Sequence, residues 1–272
     1  MRSGEAFIAQ ALRLSWRSVV RIIAVMNQKG GTGKTTTVVN LGFALAQGGA
    51  RTLLVDLDAQ GNLGVSFGLE SERGLYHILV EGADPNACAV RVRPNLDLIS
   101  SNETVASAEL IMTGEPGRET LLRRRMRGVR PYDFILLDCP PSLSLLSQNA
   151  LTYAEEVLVP ISMDYLALIG VKQILNTIGM INEVLEHPVF ISGIVPTFYD
   201  VRNRISREVL MTLKEHFGER VLNPIRVNTK LREAPSHKQS IFEYDPQSYG
   251  AQDYQRLADE VRHDDEKTGP GR

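Results

Sequence analysis

From residue 21 onward, short uninterrupted apolar runs alternate with longer segments of helical period. Ile-Ile-Ala-Val at 22–25 opens the series, followed by a Gly-rich loop and a helical pattern reaching to about 47. Further apolar runs of strand length stand at 52–56, 133–138, 156–161 and 189–195, and helical patterns fill 166–185 and 203–217. This alternation predicts an α/β fold: a mainly parallel, twisted sheet with helices on both faces and right-handed crossovers. One domain over 21–263 accounts for the series, with no internal repeat, low-complexity tract or long linker. The polar, Gly- and Pro-bearing end, 264–272, is expected to be disordered. Residues 1–20 form an extension. Phe7, Ile8, Ala11, Leu12 and Ser15 would share a face if it were helical, but it lacks the apolar core and cleavage site of a signal peptide, and a frayed extension is expected.

With 272 residues, the chain is long enough for one large α/β domain. Its 30 Lys and Arg nearly balance 32 Asp and Glu, leaving a formal charge of -2. No global basic field draws in a polyanion, so nucleic acid would have to be held by local clusters. The two cysteines, Cys88 and Cys139, form no C-x-x-C pair. That argues against a zinc knuckle or a disulfide framework and fits a reducing cytoplasm. No apolar run approaches the length that spans a bilayer.

The most specific chemistry lies at Gly30-Gly31-Thr32-Gly33-Lys34-Thr35-Thr36, after the first strand and at the opening of the first helix. The form G-x-x-x-x-G-K-[ST] fails at its first position, which is Gln28, whereas K-G-G-x-G-K-[ST] is met in full from 29 to 35. Successive backbone N–H groups and a helix N-terminus make an anion cradle, and glycine permits close approach. Lys34 would reach the β- and γ-phosphates of ATP, Thr35 would ligate Mg2+, and Thr36 would touch the α-phosphate. Two acids end later strands. Asp56 in Leu-Leu-Val-Asp-Leu-Asp-Ala-Gln-Gly-Asn is placed near Mg2+ and the loop, because an acid at the carboxyl end of a parallel strand points into the ligand crevice. Asp138 in Phe-Ile-Leu-Leu-Asp-Cys-Pro-Pro-Ser has the form of a Walker B acid and would hold Mg2+ through water or Thr35. Cys139 reads as buried packing.

These segments, with L-R-E-A-P-S-H at 231–237 and I-F-E-Y-D-P-Q-S-Y-G-A-Q-D-Y at 241–254, occur in the order found in the ParA/Soj family, within the ParA/MinD superfamily of P-loop NTPases. The chain resembles that family from about 21 to 261. The resemblance implies an ATP-dependent homodimer that sandwiches two nucleotides, with Lys29 reaching the phosphate of the neighbouring subunit. It makes Asp58 the acid that orients the attacking water and puts Asn228 near the adenine. It implies non-specific duplex DNA binding through Arg202, Arg204, Lys230 and Arg232, with Lys238 as a weaker candidate. It also implies hydrolysis stimulated by a ParB-like centromere-binding protein, a nucleoid-associated cytoplasmic location and no membrane attachment. Four places depart from the usual family pattern: Ala59 for the usual proline, Thr32 for the commoner valine, Ile169 where chromosomal relatives usually carry Glu, and Arg226-Val227-Asn228 where they usually carry P-R-N. A second basic run, Arg118, Arg123, Arg124, Arg125, Arg127 and Arg130, would scatter around a helix and is expected to be a solvated face. The competing class is a MinD-like or other cargo-positioning ATPase; 266–272 is polar rather than the amphipathic membrane helix of MinD-like proteins. Iron–sulfur ATPases of the superfamily need paired cysteines, and the larger plasmid ParA proteins carry an N-terminal helix-turn-helix domain for which twenty residues are too few.

Overall fold

The computed structural model describes residues 20–165 and 167–268. The extension up to residue 19 and the end from 269 lie outside the described residues. Seven strands form one sheet: β1 (Arg21–Val25), β2 (Thr52–Asp56), β3 (Val90–Arg93), β4 (Leu96–Ile99), β5 (Phe134–Asp138), β6 (Glu156–Ser162) and β7 (Phe190–Thr197). Their order is β3-β4-β2-β5-β1-β6-β7, and every pairing is parallel except β3 with β4. The helices are α1 (Lys34–Gln47), α2 (Asn62–Phe67), α3 (Pro85–Cys88), α4 (Thr104–Met112), α5 (Leu121–Arg125), α6 (Leu145–Tyr153), α7 (Ala167–Val184), α8 (Arg204–Phe217), α9 (Lys230–Glu233), α10 (Ile241–Tyr244) and α11 (Tyr249–Thr268), with short π and 3-10 turns between them.

β1, β2, β5, β6 and β7 are mostly apolar because both of their faces are covered. Ile23 and Val25 face a layer built from Val38, Leu41 and Leu45 of α1 and Tyr254 and Leu257 of α11. Ala24, Leu53, Val55 and Leu137 face the opposite layer, where Leu146 and Ala150 of α6 and Val171, Ile174 and Ile178 of α7 pack. Each buried aliphatic side chain contributes about 1.5–3 kcal/mol relative to exposure, so these two layers hold the sheet that carries the site.

All five strands expected from the apolar runs are present, within a residue or two at their ends. The 133–138 run starts its strand one residue late, because Asp133 instead anchors Arg51 at the head of β2 (Nη2–Oδ1 3.1 Å). The β3–β4 hairpin was not expected from the sequence. Val-Arg-Val-Arg alternates rather than runs, and Asn95 turns the chain in the left-handed region at φ 59°. At the other end, α11 continues to Thr268, so 264–268, expected in a disordered tail, belong to a helix. That stretch, Asp-Asp-Glu-Lys-Thr, contains no Gly or Pro to stop it.

Candidate active site

The site lies at the carboxyl edge of the parallel strands, where β1 runs into the loop before α1. Gly31 and Gly33 take φ of 73° and 87°, and Gly33 forms the N-cap of α1 with no side chain in the way. Three contacts fix the loop from outside. Asn27 accepts from Lys29 N (3.0 Å) and donates to the Pro160 carbonyl (2.7 Å). The Thr197 hydroxyl at the end of β7 donates to the Thr32 carbonyl (2.9 Å). Lys34 is 7% exposed, donates to the Lys29 carbonyl (3.3 Å), and has its pKa lowered by burial, partly offset by Asp138. An ammonium with so little water around it is strongly biased toward a nearby anion.

β2 and β5 bring the acids in side by side, since Asp56 pairs with Asp138 across the sheet. Both are buried, and their surroundings differ. Asp56 is committed to the backbone: Oδ1 accepts from Asp58 N (3.0 Å) and Oδ2 from Leu63 N (3.1 Å). Burial and Asp138 hold its pKa well above the ordinary range. Asp56 thereby shapes the 58–63 turn. Gly61 completes that turn at φ 65°, where a Cβ would lie 2.7 Å from the Ser101 carbonyl oxygen. Asp58 sits half-buried on the turn; its Oδ1 accepts from Gln60 N (3.0 Å) and Oδ2 makes no hydrogen bond among the described residues.

Asp138 has no such donors. Both carboxylate oxygens are buried with no donor in good hydrogen-bonding geometry, and only the Thr35 hydroxyl, close enough to interact, and the Lys34 ammonium favour the charged form. Burial raises its pKa to about 7. Buried orphan oxygens cost free energy unless a ligand completes them, and a carboxylate beside a Thr at the head of a phosphate loop suits Mg2+. Among the described residues no three His, Cys, Asp or Glu gather, so phosphate oxygens and water must fill the rest of a metal shell here. A cleft of about 270 Å³ opens beside Thr35, Thr36 and Asn62 and is closed on its far side by Leu231 and Pro235.

The remaining expected residues are distributed as follows. Lys29 is half-exposed and bonds Asp164 of its own chain (2.5 Å), which also accepts from Ser162 Oγ (2.7 Å). Asn228, one residue before the N-cap of α9, braces its start by accepting from Lys230 N (2.9 Å). Arg226 grips the buried Asp253 (2.7 Å) and stacks on Tyr249 at 4.1 Å, a local partner set for the departure from P-R-N. Ile169 is exposed on α7. Tyr199 and Arg226 form a bridge that sets the 198–204 loop beside 225–232, so Arg202, Arg204, Lys230 and Arg232 stand on neighbouring segments. Three of the four are ion-paired within the chain: Arg202 with Asp200 (2.9 Å), Arg204 with Glu208 (2.6 Å) and Lys230 with Glu233 (2.8 Å). Arg232 lies over the Phe198 ring at 5.9 Å. Three residues that shape the site had no role assigned from sequence: Asn27, Asp164 and Thr197. Asp164 and Thr197 lie 135 and 165 residues from their partners on the loop, and Asn27 ties Lys29, two residues on, to Pro160, 133 residues away. Only Asn27 left a trace, as the residue two before Lys29 in the loop motif.

A doubly-wound sheet with a two-lysine phosphate loop, a Walker B acid and a second strand-end acid defines a P-loop nucleotide hydrolase. Residues 20–191 match the family profile described as AAA domain, and 148–272 match that of 4Fe-4S iron sulfur cluster binding proteins of the NifH/frxC family. The second stretch contains neither of the two cysteines, so the match is one of fold rather than of a cluster site. The chain is 42% identical to the sporulation initiation inhibitor protein Soj of Bacillus subtilis, over 89% of this chain and 98% of that protein. It is 43% identical to the chromosome-partitioning ATPase Soj of Thermus thermophilus, over 90% and 96%. Among solved structures it is similar to a cobyrinic acid a,c-diamide synthase of Mycobacterium smegmatis with bound ATP analogue and magnesium: TM-score 0.79, 36% identity, 92% of this chain and 97% of that one. The chain belongs to the Soj/ParA family of chromosome-partitioning ATPases.

Proposed function

We propose that this protein is a Mg2+-dependent ATP hydrolase that partitions DNA, binding duplex without sequence preference as an ATP-bound dimer and releasing it on hydrolysis. The observation that carries the reading is the bare, buried carboxylate of Asp138 beside Thr35 and Lys34 at the mouth of the phosphate loop. Those three groups would hold Mg2+ and the β- and γ-phosphates; bound Mg2+ supplies charge neutralisation on the transferring phosphoryl group. Lys34 adds a second cation from a partly desolvated position, where it acts more strongly than in water. Asp58, on a turn fixed by Asp56, has one free carboxylate oxygen with which to orient water. Lys29 stands at the surface, held by one exposed ion pair, and is available to a second subunit at little cost. Relatives named for chromosome partitioning support DNA as the track and a ParB-like protein as the stimulating partner. Among the described residues no helix is long and apolar enough to cross a membrane.

The test is ATP turnover with and without Mg2+, duplex DNA and a ParB-like protein, together with size-exclusion chromatography in ATP. Mg2+-dependent turnover raised by DNA and partner, with an ATP-induced dimer, is expected. Nucleotide-independent DNA affinity, or no turnover under any condition, would overturn the reading.

A further inference from the structure

The arginine run between 118 and 130 does not stay together on one solvated face. Arg118 bonds Glu119 (3.0 Å) and Arg124 the Pro116 carbonyl (3.0 Å), beside α5. Arg130 lies beyond that helix, tied to Asn86 through its backbone N (2.8 Å) and Nη2 (3.0 Å). There it meets Arg51, from the turn before β2, and Arg91, from β3. With Asn95 and Pro131 these three arginines line a cleft of about 150 Å³. It lies at the amino-terminal edge of β2 and β5, the opposite edge of the sheet from the phosphate loop.

Asp97 and Tyr132 form the inner wall, both buried. The Tyr132 hydroxyl donates to Asp97 Oδ2 (2.8 Å), Arg91 Nε donates to Oδ1, and Arg130 Nη1 stands 3.8 Å from Oδ2. Arg51 is paired with Asp133. Three guanidinium charges against two carboxylates leave one positive charge at the cleft. Nη1 and Nη2 of Arg91, Nη1 of Arg51, and Nε and Nη1 of Arg130 donate no hydrogen bond to the described protein, and the three side chains are 58%, 55% and 44% exposed. Fork-shaped donors from three separate segments, each braced by a carboxylate or a carbonyl and lining one cleft, are the donor type that phosphate oxygens take.

We propose that this cleft is a second oxyanion site, which takes a single phosphate group between Arg51, Arg91 and Arg130. Its volume suits one phosphate rather than a nucleotide. The group is either a free phosphate or monoester, or one phosphate of a duplex backbone, in which case the molecule carries a DNA contact remote from the 198–232 loops.

The experiment follows the arginine Nε–Hε resonances of the whole protein, assigned by single Arg→Gln variants. Inorganic phosphate, glycerol phosphate and a short duplex are titrated separately against sodium chloride of equal ionic strength. The Arg51, Arg91 and Arg130 signals should move together and saturate with either small phosphate or duplex. The arm that saturates first identifies the source. In the double variant Arg51→Gln/Arg130→Gln the dissociation constant should rise about tenfold or more. Arg91 stays in place there because it neutralises the buried Asp97, and circular dichroism checks that the fold is intact. Linear drift equal to that in chloride, an unchanged constant in the folded double variant, or a response confined to the phosphate loop would overturn the proposal.

Discussion

Both oxygens of Asp138 sit in the interior with no donor in good hydrogen-bonding geometry, while those of Asp56, its neighbour on β2, accept two backbone N–H groups. That difference predicts opposite behaviour on substitution. Asp138→Asn should stabilise the nucleotide-free protein by about 1–3 kcal/mol in urea unfolding at pH 8, because the burial cost of that charge outweighs the help that Lys34 and Thr35 give it. The same variant should lose Mg2+-dependent turnover about a hundredfold or more. Asp56→Asn should destabilise, since it puts an amide where Leu63 N or Asp58 N needs an acceptor. The pH dependence has a definite sign. With its pKa raised to about 7 from an ordinary 3.8, the Asp138 carboxyl takes up a proton on folding. Its contribution to nucleotide-free stability is complete below about pH 4 and is lost as pH rises through about 7. Melting with and without Mg·ATP across pH 5–9 checks this: the two curves should diverge as pH rises, because the bound state needs the charged form. Lys34→Ala should lose ATP affinity by about a hundredfold in a labelled-nucleotide titration. Asp58→Ala should keep that affinity, hardly hydrolyse ATP, and elute as a dimer in its presence.

Strands β1, β2, β5, β6 and β7 and helices α1, α7 and α8 were legible because each carries a continuous or strongly periodic apolar pattern. The β3–β4 hairpin was not, since Val90 and Val92 alternate with arginines at an edge where one face is wet. The phosphate loop and its acids could be read directly, their chemistry being local in sequence. Asp164 and Thr197 could not, because each acts on the loop from more than 130 residues away. Four basic residues were assigned to DNA, and the structure sets them on two adjoining segments. Arg202 is exposed and Lys230 half-buried, and their ion pairs add little to stability, so phosphates can displace Asp200 and Glu233 readily. Arg202→Ala/Lys230→Ala should therefore weaken ATP-dependent DNA binding equally on unrelated duplexes. It should flatten the log–log salt slope by about 0.9 for each phosphate that is no longer neutralised, with ATP-induced dimerisation unchanged. Fluorescence anisotropy over a salt series reads both quantities.

A molecule with a formal charge of -2 cannot hold a polyanion by its general field, so timing must come from geometry near the nucleotide. The Thr197 hydroxyl grips the Thr32 carbonyl of the phosphate loop, and Arg202 follows only five residues later along the chain. Five residues span at most roughly 17 Å. If that carbonyl shifts when phosphate enters the loop, it pulls on a very short leash, whose free end carries the first basic residue of the proposed DNA segment. News of the nucleotide need not cross the core or await a second subunit; within one protomer it has one hydrogen bond and one strand end to travel. Saturating Mg·ATP should slow amide hydrogen exchange at 198–204 even in a protomer kept monomeric by dilution. Thr197→Val, which keeps the shape and removes the grip, should abolish that slowing while leaving nucleotide bound.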